Sequence, residues 1–222
     1  MIVGIVLAAG ASTRMGQPKL LLPYRGRTIL EAAYRPFLKA PSVDRVIVVL
    51  GAFADEIVRR GVLDERLVVA HNREWRRGMA SSIRTAMRHI GVGVTAILLG
   101  LGDCPCVPVS VIERLCATYR ETRPRPLVLV PTHGGRRGHP VLFSGRLREA
   151  LLRLRGDVGA RGLIRGLPAA SVLEVPTRSR GILLDCDTPE EYERLQAGVS
   201  VHRRCKGPRL GQGSTNVALP QE

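Results

Sequence analysis

The sequence predicts an α/β fold, a three-layer α/β/α sandwich of Rossmann-like form with a mostly parallel sheet. Three observations carry that prediction. Short apolar runs recur along the chain, segments of helical period lie between them, and several runs end in polar loops containing glycine. A strand buried on both faces of a parallel sheet reads as an unbroken apolar run, and consecutive parallel strands need a crossover, usually a helix, between them.

Residues 2–8 form the first run, too short for a comfortable helix and closed by Gly10. Further runs follow at 45–50, 67–70, 96–99 and 127–130. Helical spacing at 28–38, 55–60, 79–89 and 110–122 supplies the crossovers. The second half is less regular: 140–143, 171–175 and 182–184 read as strands, with a helix near 145–153. A last helix starts after Thr188, which can cap it, with Pro189 in the first turn and Glu190 and Glu191 at the positive end of its dipole. Beyond about residue 199 basic residues sit among Gly, Pro, Ser and Gln with little to bury. The expected organisation is therefore one domain over 1–198 and a flexible basic C-terminal tail over 199–222.

The 222 residues are 45% hydrophobic and 24% charged, values that fit a globular domain and exclude disorder or a disulfide scaffold for the bulk of the chain. No window reaches the roughly 18 apolar residues of a membrane span, and the apolar start has no basic lead or cleavage site. A soluble, cytoplasmic protein with no membrane partner is expected. Five cysteines, Cys104, Cys106, Cys116, Cys186 and Cys205, are irregularly spaced and suit free thiols in a reducing compartment. The net charge of +15 makes polyanions the first partners to consider. Yet Lys19, Lys39 and Lys206 are the only lysines, so the excess is arginine, as a coding bias alone would produce. With 4% aromatics and Trp75 the sole tryptophan, a base-stacking surface is lacking and nucleic acid is the lesser reading.

In open parallel sheets, ligands bind beyond the carboxyl ends of the strands, and the unusual residues lie in those loops. LAAGASTRMGQPKLLLP, 7–23, carries Gly10 and Gly16 with Arg14 and Lys19: small residues let backbone amides approach an anion, and the two cations offset phosphate charge. The spacing is neither that of the ATPase P-loop nor G-x-G-x-x-G. Asp103, in GLGDCP, follows a strand and can offer an oxygen to Mg²⁺, which binds through one or two carboxylates plus substrate phosphates. Its bland alternative is a cap for the helix near Ser110. Asp185 and Asp187, in LLDCDTPEEY, can face one site from an extended segment, or Asp187 can simply open the following helix.

Asn72, Gly78, Met79, Ser81 and Ser82, in HNREWRRGMASS, offer amide and hydroxyl groups at a helix start for a base, a ribose or an anion; the alternative is a capped helix with Trp75 packed on the core. Arg136, Arg137 and His139, in GGRRGHPVLF, group two guanidiniums that can grip a phosphate with an imidazole that is as readily structural. Asp157 lies in RGDVGAR, which on residue types alone is as readily an ordinary helix-starting turn with Arg161 exposed. Cys104 and Cys106 form a C-x-C pair without the second pair or histidine that zinc needs.

The segment L-A-A-G-x-S-x-R-M-G-x-P-K-L-L-L-P resembles the signature of nucleotidyltransferases that attach a nucleoside monophosphate to molybdopterin, and within them the molybdenum cofactor cytidylyltransferases. The likeness extends over about 2–198 and implies a nucleotide-diphospho-sugar transferase-like fold. It implies CTP as donor, molybdopterin carrying molybdenum as acceptor, Mg²⁺ as cofactor and a molybdenum hydroxylase as recipient of the product. Leu7, Ala8, Ala9, Gly10, Arg14 and Lys19 would hold the triphosphate, with Arg14, Lys19 and Asp103 catalytic. Asn72, Gly78, Met79, Ser81 and Ser82 would complete nucleotide recognition; Asp103 and Asp187, the latter favoured over Asp185, would bind metal; Arg136, Arg137, His139 and Asp157 would face the acceptor. Cysteines at 104 and 106 fill variable positions of the metal loop, so oxidation there could impair metal binding. Relatives of this kind also use GTP or other phosphorylated acceptors. A non-catalytic cofactor carrier and a basic nucleic-acid binder are the readings outside enzymes.

Overall fold

The first apolar run becomes a strand whose side chains alternate between two cores, and the other runs assemble around it. The computed structural model describes residues 1–157 and 159–198; the tail expected over 199–222, with Cys205, lies outside the described residues. In chain order the elements are β1 (Ile2–Ala8), a small hairpin of β2 (Pro23–Tyr24) and β3 (Arg27–Thr28), α1 (Ile29–Lys39), β4 (Arg45–Leu50), α2 (Ala54–Arg59) and β5 (Leu67–His71). There follow α3 (Met79–Arg88), β6 (Ala96–Leu101), α4 (Val109–Glu121), β7 (Val128–His133), β8 (Arg136–Arg137) and β9 (Val141–Ser144). The chain continues through α5 (Arg148–Leu152), α6 (Arg161–Arg165), β10 (Val172–Pro176) and α7 (Pro189–Gln196).

The main sheet has the order β10-β7-β9-β6-β1-β4-β5, with β8 paired to β7. β1, β4, β5 and β6 are parallel neighbours, as are β7 and β10; β9 runs against both β6 and β7. The predicted mostly parallel α/β architecture is therefore the one observed. One core packs Val6, Leu30, Phe37 and Leu115 under α1 and α4; the other packs Ile5, Val49, Ile83 and Phe143 under α3. Phe37 reaches the sheet only because glycines stand beneath it: a Cβ on Gly4 would lie 2.8 Å, and on Gly100 2.5 Å, from its ring.

Helix starts follow local chemistry. Thr28 and Glu31 form a reciprocal capping box at α1, and Thr188 accepts the Glu191 amide at α7, with Pro189 in the first turn. The expected strand at 182–184 is corrected: Arg180–Leu183 is a 3₁₀ turn. Gly181 is pressed against the Cys106 carbonyl, where a side chain has no room, and the Ile182 carbonyl accepts the His139 amide. Those contacts fold the segment across the end of the sheet instead of along its edge. No helix among the described residues is long and apolar enough to cross a membrane.

Candidate active site

Beyond the carboxyl end of β1 the chain leaves the sheet through a loop that holds Ser12 at φ +53° and Gly16 at φ +69°. The Met15 amide donates to the Ser12 carbonyl at 2.9 Å, and the Lys19 amide donates to Ser12 Oγ at 3.3 Å. Leu20 and Leu21 are buried in the core, which fixes the 3₁₀ turn Lys19–Leu21 to which they belong and brings Lys19 back over the strand ends. The Lys19 side chain is only 11% exposed. Its Nζ donates to Asp103 Oδ2 at 2.5 Å and to Asp187 Oδ1 at 2.8 Å. Arg14, 64% exposed, donates to Asp187 Oδ2 at 2.8 Å. The amino-terminal loop and the two carboxylates, far apart in sequence, thus meet at one ammonium.

Backbone contacts stitch these loops together. The Gly102 amide donates to the Leu7 carbonyl at 2.8 Å, and the Cys186 amide donates to the Asp103 carbonyl at 3.0 Å. Asp103 does not cap α4, whose N-cap is Pro108 without a side-chain bond. Nor does Asp187 cap α7: Thr188 does, while the Asp187 amide donates to Glu191 Oε2 at 2.9 Å. Its carboxylate is left to the site.

The electrostatics follow from this packing. Burial works against the Lys19 charge, but Asp103 and Asp187 outweigh it and hold the ammonium above its ordinary range. Burial likewise opposes the Asp187 charge, and hydrogen bonds from Lys19 and Arg14 reverse the balance, holding the carboxyl below its usual range. Cys104 is buried and its thiol is pushed well up by desolvation; Cys186 is raised to about 12 for the same reason. Such thiols are poor nucleophiles. Cys106 shares a 3.2 Å hydrogen bond with the Tyr24 hydroxyl.

The donor set suits a hard divalent cation. Two carboxylate oxygens converge on one point, and no group of three or more His, Cys, Asp or Glu that could hold a metal occurs among the described residues. Mg²⁺ is commonly held in just this way, by one or two carboxylates with substrate phosphates completing its shell.

The segment after β5 is turned inward. Asn72 Nδ2 donates to Ser81 Oγ at 2.8 Å and Ser82 Oγ at 3.0 Å, its Oδ1 accepts the Glu74 amide, and the single Ser81 hydroxyl proton is shared between the Gly78 carbonyl at 2.8 Å and the Glu74 carbonyl at 3.0 Å. The side chains of Asn72, Ser81 and Ser82 are buried and satisfy one another. In this arrangement they hold the shape of the loop and the start of α3. Gly78 takes φ +86°, which a side chain would resist and Asp157 would block. Asp157 Oδ1 accepts the Met79 amide at 3.0 Å, tying the start of α3 to the turn before α6. Trp75 lies against the Arg76 guanidinium, 4.3 Å from ring centroid to carbon.

Cys104, next to Asp103 in the chain, lines a groove of about 470 Å³ together with Arg136, Arg137, His139, Arg161, Arg165 and Asp185. A smaller cavity of about 270 Å³ adjoins it, sharing His139, Arg161 and Arg165 and adding Met79 and Asp157. Leu101, Val141 and Ile164 give both an apolar floor. Arg137 Nε donates to Glu174 at 2.8 Å, and both Arg136 and Arg137 stand on the lining of the groove. His139 Nδ1 is sealed off without a hydrogen-bond partner, and desolvation lowers the imidazole pKa to about 4. Arg161 and Arg165 were not among the sequence candidates. Their signal, arginines four apart just after RGDVGA, becomes visible only once that stretch is known to be a helix.

A family model described as MobA-like NTP transferase domain matches residues 4–173. The chain belongs to this family of nucleotidyltransferases. Among its relatives is nicotine blue oxidoreductase of Paenarthrobacter nicotinovorans, 36% identical over 209 residues, 87% of this chain and 96% of the relative. The molybdenum cofactor cytidylyltransferase of Escherichia coli is 27% identical, over 85% of this chain and 92% of its own length. Among solved structures, the manganese complex of Rv0371c from Mycobacterium tuberculosis superimposes with a TM-score of 0.72 at 32% identity, covering 89% of this chain and 99% of that one. These relationships establish fold and family; the manganese belongs to the mycobacterial protein.

Proposed function

We propose that this MobA-like protein transfers CMP from CTP to the terminal phosphate of molybdopterin carrying molybdenum, forming a cytosine dinucleotide cofactor and releasing pyrophosphate. The observation that carries the reading is the meeting of Lys19, Arg14, Asp103 and Asp187 beside the arginine-rimmed groove. An oxygen of the acceptor phosphate bonds to the α-phosphorus, and the bond from that phosphorus to the α,β-bridging oxygen breaks. The attacking phosphate is already ionised, so no side chain has to remove a proton. The tasks left to the protein are alignment of two mutually repelling anions and compensation of charge on the leaving pyrophosphate.

Arg14 and Lys19 serve the second task, and Asp103 and Asp187 would hold Mg²⁺, which when bound supplies further positive charge at the phosphates. The groove suits the acceptor because an apolar floor accepts a flat ring while Arg136, Arg161 and Arg165 offer donors to its phosphate. His139, neutral near pH 7, adds no charge to that site.

The test is a panel of CTP, GTP, ATP and UTP with molybdenum cofactor and Mg²⁺, read by mass spectrometry. A cytosine dinucleotide with stoichiometric pyrophosphate is expected. A guanine dinucleotide would make the protein a guanylyltransferase, and pterin binding without any dinucleotide would make it a carrier. The 36% identity to a protein named for oxidoreductase activity favours a second reading, nicotine blue as substrate. It is tested by following that dye with a reduced nicotinamide cofactor, and the missing G-x-G-x-x-G spacing weighs against it.

A further inference from the structure

The carboxylates that would take a divalent cation are already engaged by a cation of the chain itself. Lys19 Nζ sits 2.5 Å from Asp103 Oδ2 and 2.8 Å from Asp187 Oδ1, and Arg14 holds the second Asp187 oxygen at 2.8 Å. Backbone amides keep all three in register: that of Lys19 donates to Ser12 Oγ, that of Cys186 to the Asp103 carbonyl and that of Asp187 to Glu191 Oε2. A divalent cation drawn to those oxygens meets an ammonium at contact distance, so the two compete for one place. The lysine head has no acceptor and a flexible four-carbon stem, which suits it to move onto a phosphate.

We propose that Lys19 is an internal counter-cation for Asp103 and Asp187, which a nucleoside triphosphate must draw away before a divalent cation can settle on them. Metal therefore loads together with nucleotide and not ahead of it. Arg14, the exposed member of the cluster, is the first to meet the phosphates; when it turns to them, Asp187 loses one of its two cationic partners and its hold on Lys19 is the next to be exchanged. This device rests on the metal assignment made above.

The probe is Mn²⁺, followed by the paramagnetic resonance of the free ion as it is taken up by the full-length protein. Without nucleotide, Lys19→Met should bind Mn²⁺ about tenfold more tightly than the unaltered protein, an ordinary size for coupling between two ligands. With an α,β-methylene analogue of CTP or GTP, the unaltered protein should bind it readily. Equal nucleotide-free affinities in the two proteins would overturn the proposal. Uptake by neither protein, with or without analogue, would instead overturn the metal assignment, so the two failures differ.

A second measurement needs no substitution and so does not depend on the variant folding. Lys19 is one of three lysines in the chain, so its ammonium resonance is readily picked out by ¹⁵N-lysine labelling. It should shift when an analogue is added and stay in place with millimolar Mg²⁺ alone. The same shift produced by Mg²⁺ alone would contradict the proposal.

Discussion

Lys19 keeps its charge in a place where burial alone would work to remove it. Two carboxylates hold that charge, and they in turn depend on it. Replacing Asp103 by Asn should lower turnover by about 100-fold, the usual scale for losing one electrostatic contact to a transition state, while circular dichroism and melting stay near normal. Unchanged turnover would remove Asp103 from the chemistry. His139 gives a residue-scale test of stability. Its imidazole pKa falls from 6.5 to about 4 on folding, so between those values the unfolded chain binds the proton first. The stability it contributes is complete above pH 6.5 and is lost as the pH falls toward 4. Asp187 acts lower: its folded pKa lies below 3.8, so its contribution is complete above that value and lost on further acidification. In His139→Gln the urea midpoint should vary less between pH 6.5 and 4 than in the parent. An identical slope would show that the imidazole is not held neutral by its surroundings.

At the scale of elements, the strands were legible because both their faces are apolar, largely buried in β1, β4 and β6 and partly so in β5. β1, β4, β5 and β6 contain no polar period to confuse with a helix, and the structure places them where the apolar runs lie. The run at 182–184 looked the same but is only a turn, since its neighbour Gly181 packs on the Cys106 carbonyl and its own backbone serves His139. α6 was legible only as a helix-starting turn at RGDVGAR: five residues, two of them arginine and one glycine, carry no amphipathic period to give its length or face. In the segment 72–82 residue types suited to a ligand also bond to one another, a structural task that the sequence does not display. Asn72→Ala should therefore destabilise the protein by about 1–3 kcal/mol through buried hydroxyls and an amide left unpaired, measured by denaturant unfolding. A loss of nucleotide affinity with full stability would return Asn72 to the binding surface. Gly100→Val should cost about 1–3 kcal/mol through overpacking against Phe37, seen as a lower melting temperature.

At the scale of the whole molecule, topology makes the site. Parallel strands deliver the loops after β1 and β6 to the same end of the sheet, and the crossing segment at 180–187 closes over it with Asp187. The loop and Asp103 were readable from local sequence because glycine, base and acid cluster within a few residues of a strand end. The arginine groove was readable only in part: Arg136, Arg137 and His139 stand together in the sequence, whereas Arg161, Arg165 and the 180–185 segment approach them only in the fold. The net charge of +15 was a weak guide for the same reason: it counts arginines without saying which of them converge. The most direct test of the account is the anomalous scattering of Mn²⁺ in crystals grown with an α,β-methylene analogue of the preferred nucleotide. The account predicts one metal peak touching Asp103, Asp187 and the triphosphate, with Lys19 and Arg14 turned onto phosphate oxygens. A triphosphate bound away from the 7–19 loop, or a metal peak remote from both carboxylates, would contradict it.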